Sequence, residues 1–286
     1  MREFVVMADV NTDPDPAYVE RENITILPQY YHFNDGIIYG EEQKLSTKVF
    51  FDRLDAGERA YSMGCNPDTV HRLMEAELEK DHDIIAVMAS SECSGSYNTV
   101  RMEAQELMAE YPGATIKVID SYLETTPAGL LVYMAQEMKK KNCTLDEVEK
   151  VLEEQKKNCN ILFMVNDLKY LVRGGRLNVV SGALGTLLKI KPILFIDKGL
   201  IAPYEKARGK QTAKATIIKR LKEMKLDPEL MCILHTGADP TEAEEFGKVV
   251  SKELGIEPMW HIEVNPVIGA HIGPGGMGVA FCKLSE

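Results

Sequence analysis

Ile84-Ile85-Ala86-Val87-Met88-Ala89-Ser90-Ser91-Glu92-Cys93-Ser94-Gly95-Ser96 is the stretch that decides the fold. An apolar run of strand length ends in a hydroxyl-rich turn, and Val100, Ala104, Leu107, Met108 and Tyr111 then recur on one helical face. Strand, loop and helix in that order imply a parallel βαβ unit. In such sheets ligands collect beyond the carboxyl ends of the strands, where helix N-termini offer free N–H groups and partial positive charge. The loop lacks the Gly-x-x-x-x-Gly-Lys spacing that wraps a triphosphate. It offers Ser90, Ser91, Ser94, Gly95 and Ser96, a set suited to a small anion such as a carboxylate. The same serines are preferred N-caps, and a purely capping role accounts for them as well.

Toward the amino terminus, residues 4–8 read as a buried parallel strand, and Asp9, Asn11, Thr12 and Asp13 follow at its carboxyl end. Most of these polar groups are expected to close turns. Residues 24–27 and 29–33 read as strands, and Asn34-Asp35-Gly36 as a hairpin turn before 37–39. Ser46 caps a helix over 48–54, and Asn66-Pro67 opens another with Val70, Leu73, Met74 and Leu78 as its buried stripe. Residues 61–65, between those helices, read as a loop.

Toward the carboxyl terminus, strand 115–119 ends in Asp120-Ser121, helix 128–140 follows, and Thr144 with Glu147 forms a capping box for a helix to 157. After strand 160–165 the pattern changes. A helical turn over 168–176 stops at paired glycines, and a small-residue helix covers 179–188. A hairpin then turns at Asp197-Lys198-Gly199. Helix 210–224, strand 231–235, helix 241–254 and strand 260–264 lead to a glycine-rich loop, 268–278, and a last strand, 279–283. The change of pattern puts a domain boundary near Asn160, dividing 1–160 from 161–286. The 286 residues suffice for two domains.

No apolar run approaches the ~20 residues of a membrane span, and the amino terminus enters a strand without a signal-peptide pattern. A soluble, cytoplasmic protein without stable membrane insertion is expected. Cys65, Cys93, Cys143, Cys159, Cys232 and Cys282 show no Cys-x-x-Cys spacing, so they read as reduced thiols and not as a zinc or redox site. The net charge of −11 argues against nucleic acid as a partner. From Asn166 to Lys225, however, fourteen Lys or Arg face four Asp or Glu, a local +10 that leaves −21 for the rest of the chain. Such a segment is either a set of solvated faces or a docking surface for an acidic partner or phosphorylated ligand.

Two residues of the second half stand out chemically. His271 lies among glycines that let backbone approach a ligand, as a donor to an anion, a general base or a turn residue, with the donor role preferred. Arg176, after two glycines, has the fork geometry to pair with a carboxylate or phosphate, or is an ordinary exposed arginine. Ser90-Ser91, Ser94-Gly95-Ser96-Tyr97, Ile119-Asp120-Ser121, 168–176, Pro192-Ile193-Leu194, Arg208 and His271 through Gly278 resemble, in order and spacing, the DegV family of bacterial fatty-acid-binding proteins. That family includes the binding subunits of fatty-acid kinase. The resemblance implies an α/β/α domain with a parallel sheet and a second α/β domain with a mixed sheet. It further implies a long-chain fatty acid as ligand, with no other cofactor, its carboxylate near the domain interface and its chain buried. Ser94 and the Gly95 amide match carboxylate contacts of the first domain, and Arg176 and His271 match contacts from the second. Where the family has Thr-Ser-Gln-Pro, this chain has Tyr61-Ser62-Met63-Gly64, so Ser62 is kept and Tyr61 replaces a head-group threonine.

A kinase-subunit role implies a separate ATP-dependent partner, with Arg173, Lys206 and Arg208 as candidates to face it. The rival reading is a serine hydrolase or acyltransferase using Ser94, His271 and Asp120. It ranks lower, because Ser94 sits in Glu92-Cys93-Ser94-Gly95 and not in the Gly-x-Ser-x-Gly elbow.

Overall fold

The computed structural model describes residues 2–178, 191–237 and 239–284; the helix expected over 179–188 lies outside them. Strands β1 (Phe4–Asp9), β2 (Thr25–Leu27), β6 (Asp83–Met88) and β7 (Ile116–Asp120) form a wholly parallel sheet in the order β2-β1-β6-β7. Alternate residues of β6 serve opposite faces, as a strand's period of two requires. Ile84, Ala86 and Met88 pack with helices α3 (Pro67–Leu78) and α4 (Ser96–Glu110), while Ile85 and Val87 face α5 (Thr126–Lys140). Both faces are covered, which is why the strand reads as a continuous apolar run.

A second, mixed sheet runs β10-β9-β8-β13-β11-β12, built from β8 (Cys159–Met164), β9 (Lys191–Asp197), β10 (Leu200–Ala207), β11 (Leu226–His235), β12 (Trp260–Glu263) and β13 (Met277–Lys283). Only the β11–β12 pair is parallel. Helices α8 (Lys210–Lys222) and α9 (Thr241–Leu254) cover one face through Ile217, Leu221, Phe246 and Val250. The other face turns toward α5. Apolar nearly all round, α5 is buried between the two sheets, and one core runs from Val6 and Ala8 through Leu130, Leu131 and Ala135 to Ile161, Cys232 and Ala280. The boundary placed at 160 falls within β8, and the second sheet takes all its strands from Cys159 onward.

Local signals in the sequence coincide with element ends. Ser46 accepts from the Val49 amide at the start of α2 (Thr47–Asp55), Asn66 caps α3, and Thr144 with Glu147 closes the capping box of α6 (Leu145–Gln155). Helices α1 (Pro16–Glu22), α7 (Lys169–Gly174) and α10 (Pro266–Ile272) are short.

Three expectations are corrected. Residues 61–63 are not loop: β5 (Tyr61–Met63) pairs antiparallel with β3 (Tyr30–His32), which also pairs with β4 (Ile38–Tyr39). Three residues carry too little periodicity to show a strand, and its partner lies about thirty positions away. The glycine-rich ending opens with α10, capped by Asn265, so His271 sits in a helical last turn and not in a loop. Cys159 and Cys282, finally, are not reduced thiols. They stand opposite each other on β8 and β13 and form a disulfide across a sequence separation of 123. Spacing rules look for close cysteines, and here register brings distant ones together.

Cys65, Cys93, Cys143 and Cys232 are free. Denatured without reductant, the protein should therefore present four titratable thiols; six would show that the Cys159–Cys282 bridge is not formed. Among the described residues no helix is long and apolar enough to cross a membrane.

Candidate functional site

The carboxyl ends of β1, β6 and β7 face the second sheet across a cavity. The apolar wall comes from the second half: Ile161 and Phe163 of β8, Ile196 of β9, Ile201 of β10, Leu234 of β11 and Ile268 of α10. The polar wall comes largely from loops of the first half, with Asn11, Gln29, Ser94, Glu124 and Thr125, and is completed by Ser62, Arg176 and His271. An outer cleft adjoins it. Ser62, Arg176 and His271 line both the cavity and the cleft, so they stand where the apolar interior meets the surface.

Ser62 reaches this junction through β5, whose register sets Ser62 opposite Tyr31. Beneath that small sheet, Tyr31, Phe33, Tyr39, Phe50 and Phe51 form an aromatic cluster that packs on Val267 and Ala270 of α10. The packing brings Ser62 Oγ to 2.8 Å from His271 Nε2. On its other side the imidazole presses against α7: a Cβ built on Gly174 would lie 2.3 Å from His271 Nδ1. Nδ1 is buried and makes no hydrogen bond. A buried orphan N–H is rarer than an orphan acceptor, so the proton belongs on Nε2, which donates to Ser62 Oγ and leaves the serine hydroxyl free to donate. Burial, and then the neighbouring Arg176 charge, lower the His271 pKa to about 4, so the ring is neutral at physiological pH. Arg176 crosses from α7 to the serine loop, where its Nε donates to the Cys93 carbonyl at 3.1 Å and its Nη1 to the Gly174 carbonyl.

The serine loop is mostly occupied with its own backbone. Ser90 Oγ accepts from the Glu92 amide at 3.2 Å. Ser94 Oγ accepts from the Ser96 amide at 3.3 Å and donates to Ser96 Oγ at 3.1 Å, and Ser96 Oγ accepts from the Cys65 amide at 3.0 Å. Ser94 still lines the cavity, whereas Gly95, the N-cap of α4, does not. Tyr61 lies on the outer cleft and not on the cavity, stacked on His32 at 5.2 Å with the Arg59 guanidinium 4.6 Å from its ring centre. Arg173 lines the same cleft. Lys206, on β10, and Arg208, just after it, are exposed and line neither the cavity nor the cleft.

Ser94, His271 and Asp120 do not assemble into a hydrolase triad. His271 pairs with Ser62 and not with Ser94, and its Nδ1 has no carboxylate to orient it. Asp120 is engaged elsewhere, accepting from the Ser91 and Tyr122 amides at 3.2 and 3.1 Å.

The carboxylates at the strand ends hold the loops in place. Asp9 accepts from the Asn11 amide, from Gln29 Nε2 at 2.8 and 2.9 Å, and from the Ala89 amide, tying β1 to β6. Asp13 accepts from Thr125 Oγ1 at 2.7 Å and from Asn265, and so joins the first half to the cap of α10. Burial raises both to a pKa of about 6 against these lowering hydrogen bonds. The turn-closing role expected for this segment holds for the Asp9–Asn11 and Thr12–Asp9 contacts, whereas Asp13 bonds across the chain to Thr125 and Asn265. Sequence reading did not select Gln29, Glu124 or Thr125 as cavity residues. Glu124 and Thr125 had one available signal, their position just past the carboxyl end of a parallel strand.

A family model described as "Uncharacterised protein, DegV family" matches residues 3–284. A DegV domain-containing protein of Clostridium perfringens is 29% identical over 284 residues, covering 98% of each chain. Among solved structures, the fatty-acid-binding protein DegV of Bacillus subtilis superposes with a TM-score of 0.85 at 28% identity, covering 99% of this chain and 100% of that one. A DegV family protein from Thermus thermophilus, described by its fatty-acid binding, gives a TM-score of 0.88 at 25% identity, again over 99% and 100% of the two chains. The strand order, the mixed second sheet and the full-length match agree, and this chain belongs to the DegV family.

Proposed function

We propose that the protein binds one long-chain fatty acid, with its carboxylate at the Ser62–Arg176–His271 junction and its acyl chain along the apolar wall. The observation that carries this reading is the junction itself, where an apolar cavity opens between a hydroxyl, a guanidinium and a neutral imidazole. A carboxylate leaving water loses several kcal/mol of solvation unless donors replace it. Ser62 Oγ–H and the Arg176 guanidinium are such donors, and His271 is the positioning residue that directs the Ser62 proton outward. The fatty-acid-binding descriptions of the relatives from B. subtilis and T. thermophilus support the same ligand class.

Delipidated protein should be stabilised by palmitate or oleate, read as a thermal shift. Absence of both shift and binding for every acid from medium to very long chain counts decisively against the reading. Within it, Ser62→Ala removes one donor to a charged group, about 1.5–3 kcal/mol, or roughly tenfold to a hundredfold in affinity. Unchanged affinity would place the head group elsewhere.

The outer cleft suits a second step, presentation of the carboxylate to a separate ATP-dependent kinase that forms an acyl phosphate. Arg173 lies on that cleft beside the junction and supplies a cation where negative charge would accumulate. Arg173→Glu should abolish acyl-phosphate formation with a cognate kinase while palmitate binding persists. Arg208→Glu, outside the cleft, should leave both intact. Phosphorylation unchanged in Arg173→Glu would remove this part of the proposal.

A further inference from the structure

Away from the cavity, one cluster of metal-ligating side chains stands out among the described residues. One ring nitrogen of His71 and one carboxylate oxygen each of Glu75 and Glu110 lie within 4.8 Å of one another. His71 and Glu75, four positions apart, share a face of α3, and Glu103 and Glu110, seven apart, share a face of α4. The two helices pack through Val70, Met74, Val100, Ala104 and Leu107, which brings these faces together along the rim of their seam. None of the four residues lines the cavity or the outer cleft.

The cluster differs from the ordinary ion pairs of this surface in two respects. Elsewhere glutamates are matched by lysines, Glu77 by Lys80, Glu137 by Lys140 and Glu242 by Lys214. Glu75, Glu103 and Glu110 have no Lys or Arg partner among the described residues, and the basic group beside Glu103 and Glu110 is His71. Three carboxylates thus surround one imidazole, an excess of negative charge that a cation would offset. The second difference is orientation. A carboxylate only accepts, so His71 Nδ1, 3.1 Å from Glu103 Oε2, carries a proton and donates it. In the neutral ring Nε2 keeps its lone pair, and its neighbour Glu110 Oε2, at 4.0 Å, is too far for a hydrogen bond. Glu75 is also held from outside, by Tyr111 Oη donating to its Oε1 at 3.0 Å. A histidine fixed by a carboxylate on one nitrogen and free on the other, beside a carboxylate that is itself hydrogen-bonded, is the arrangement that orients ligands around a metal.

We propose that His71, Glu75 and Glu110 bind a divalent transition metal of the zinc type across the α3–α4 seam, with Glu103 and Tyr111 as positioning residues. An imidazole nitrogen suits Zn²⁺, whereas Mg²⁺ and Ca²⁺ favour oxygen ligands. Three protein ligands with water as the fourth complete a tetrahedron, whose ligand atoms lie about 3.4 Å apart at ordinary bond lengths. Rotation of the Glu110 side chain, half exposed, supplies that closure. The site is independent of the fatty-acid reading.

Titration of ZnCl₂ into the chelator-treated full-length protein, by calorimetry and by thermal shift, tests it. One equivalent should bind with micromolar or tighter affinity and raise the melting temperature, while millimolar Mg²⁺ does neither. His71→Ala should weaken Zn²⁺ binding roughly a hundredfold or more, and Glu103→Ala about tenfold by releasing the imidazole. Glu110→Gln changes a half-exposed side chain, so the fold is kept, and it should weaken Zn²⁺ binding at least about tenfold. Palmitate affinity should be unchanged in all three variants, because the seam lies outside the cavity, so this proposal and the fatty-acid reading stand or fall separately. Absence of stoichiometric Zn²⁺ binding overturns the site. Zn²⁺ affinity unchanged in His71→Ala or in Glu110→Gln overturns it too, and assigns the metal to other donors such as the free thiols.

Discussion

Replacing palmitate by decanoate is expected to weaken binding by roughly three orders of magnitude. Each methylene moved from water into an apolar site contributes about 0.8 kcal/mol, so six methylenes amount to about 5 kcal/mol. The wall that receives them is well suited to the purpose. Ile161, Phe163, Ile196, Leu234 and Ile268 lining it belong to the continuous core, so tail atoms replace packing contacts and not surface water. A titration series from decanoate to stearate should therefore show affinity rising steadily with chain length until the cavity is filled. A dependence of less than tenfold over the whole series would mean that the chain is not enclosed, whatever holds the carboxylate.

Arg176→Met should reduce fatty-acid affinity by about two to three orders of magnitude. Removing one member of a buried charge pair costs about 3–5 kcal/mol, because the remaining charge is left without compensation. Methionine keeps most of the apolar stem, so the loss reports on the guanidinium and not on packing. Arg176 also bridges α7 to the Cys93 carbonyl, and loss of that bridge affects the stability of the unliganded protein as well. Hexadecanol separates the two effects. It shares the chain and lacks the charge, so its binding should fall little in Arg176→Met while that of palmitate falls steeply. Equal losses for both ligands would assign Arg176 a purely structural role.

Much of this architecture is legible in the chain because its signals are local. The apolar run over 84–89 followed by a helical stripe is a βαβ unit wherever it occurs, and Ser46, Asn66 and Thr144 cap helices through side chains two or three residues from the amides they accept. The Asn34-Asp35-Gly36 turn joins β3 to β4 for the same reason. Ser94 shows where such reading becomes ambiguous. One hydroxyl can cap a helix or face a ligand, and in the fold it bonds Ser96 while also lining the cavity.

The parallel first sheet, most of the order of elements and many helix starts are legible in the residues alone, since these depend on periodicity and on contacts a few residues long; α1, β5 and α10 are not. Tertiary structure alone decided the pairings that make the site. Ser62 meets His271 across 209 positions, Thr125 meets Asn11 across more than a hundred, and Cys159 meets Cys282 across 123. Such contacts carry no spacing signature, because they arise from sheet register and from the packing of α10 on an aromatic cluster. Burial is a tertiary quantity too. Asp9, Glu124 and His271 are ordinary titrating residues in the sequence, and only enclosure between two sheets raises the pKa of the two carboxyls and lowers that of the imidazole.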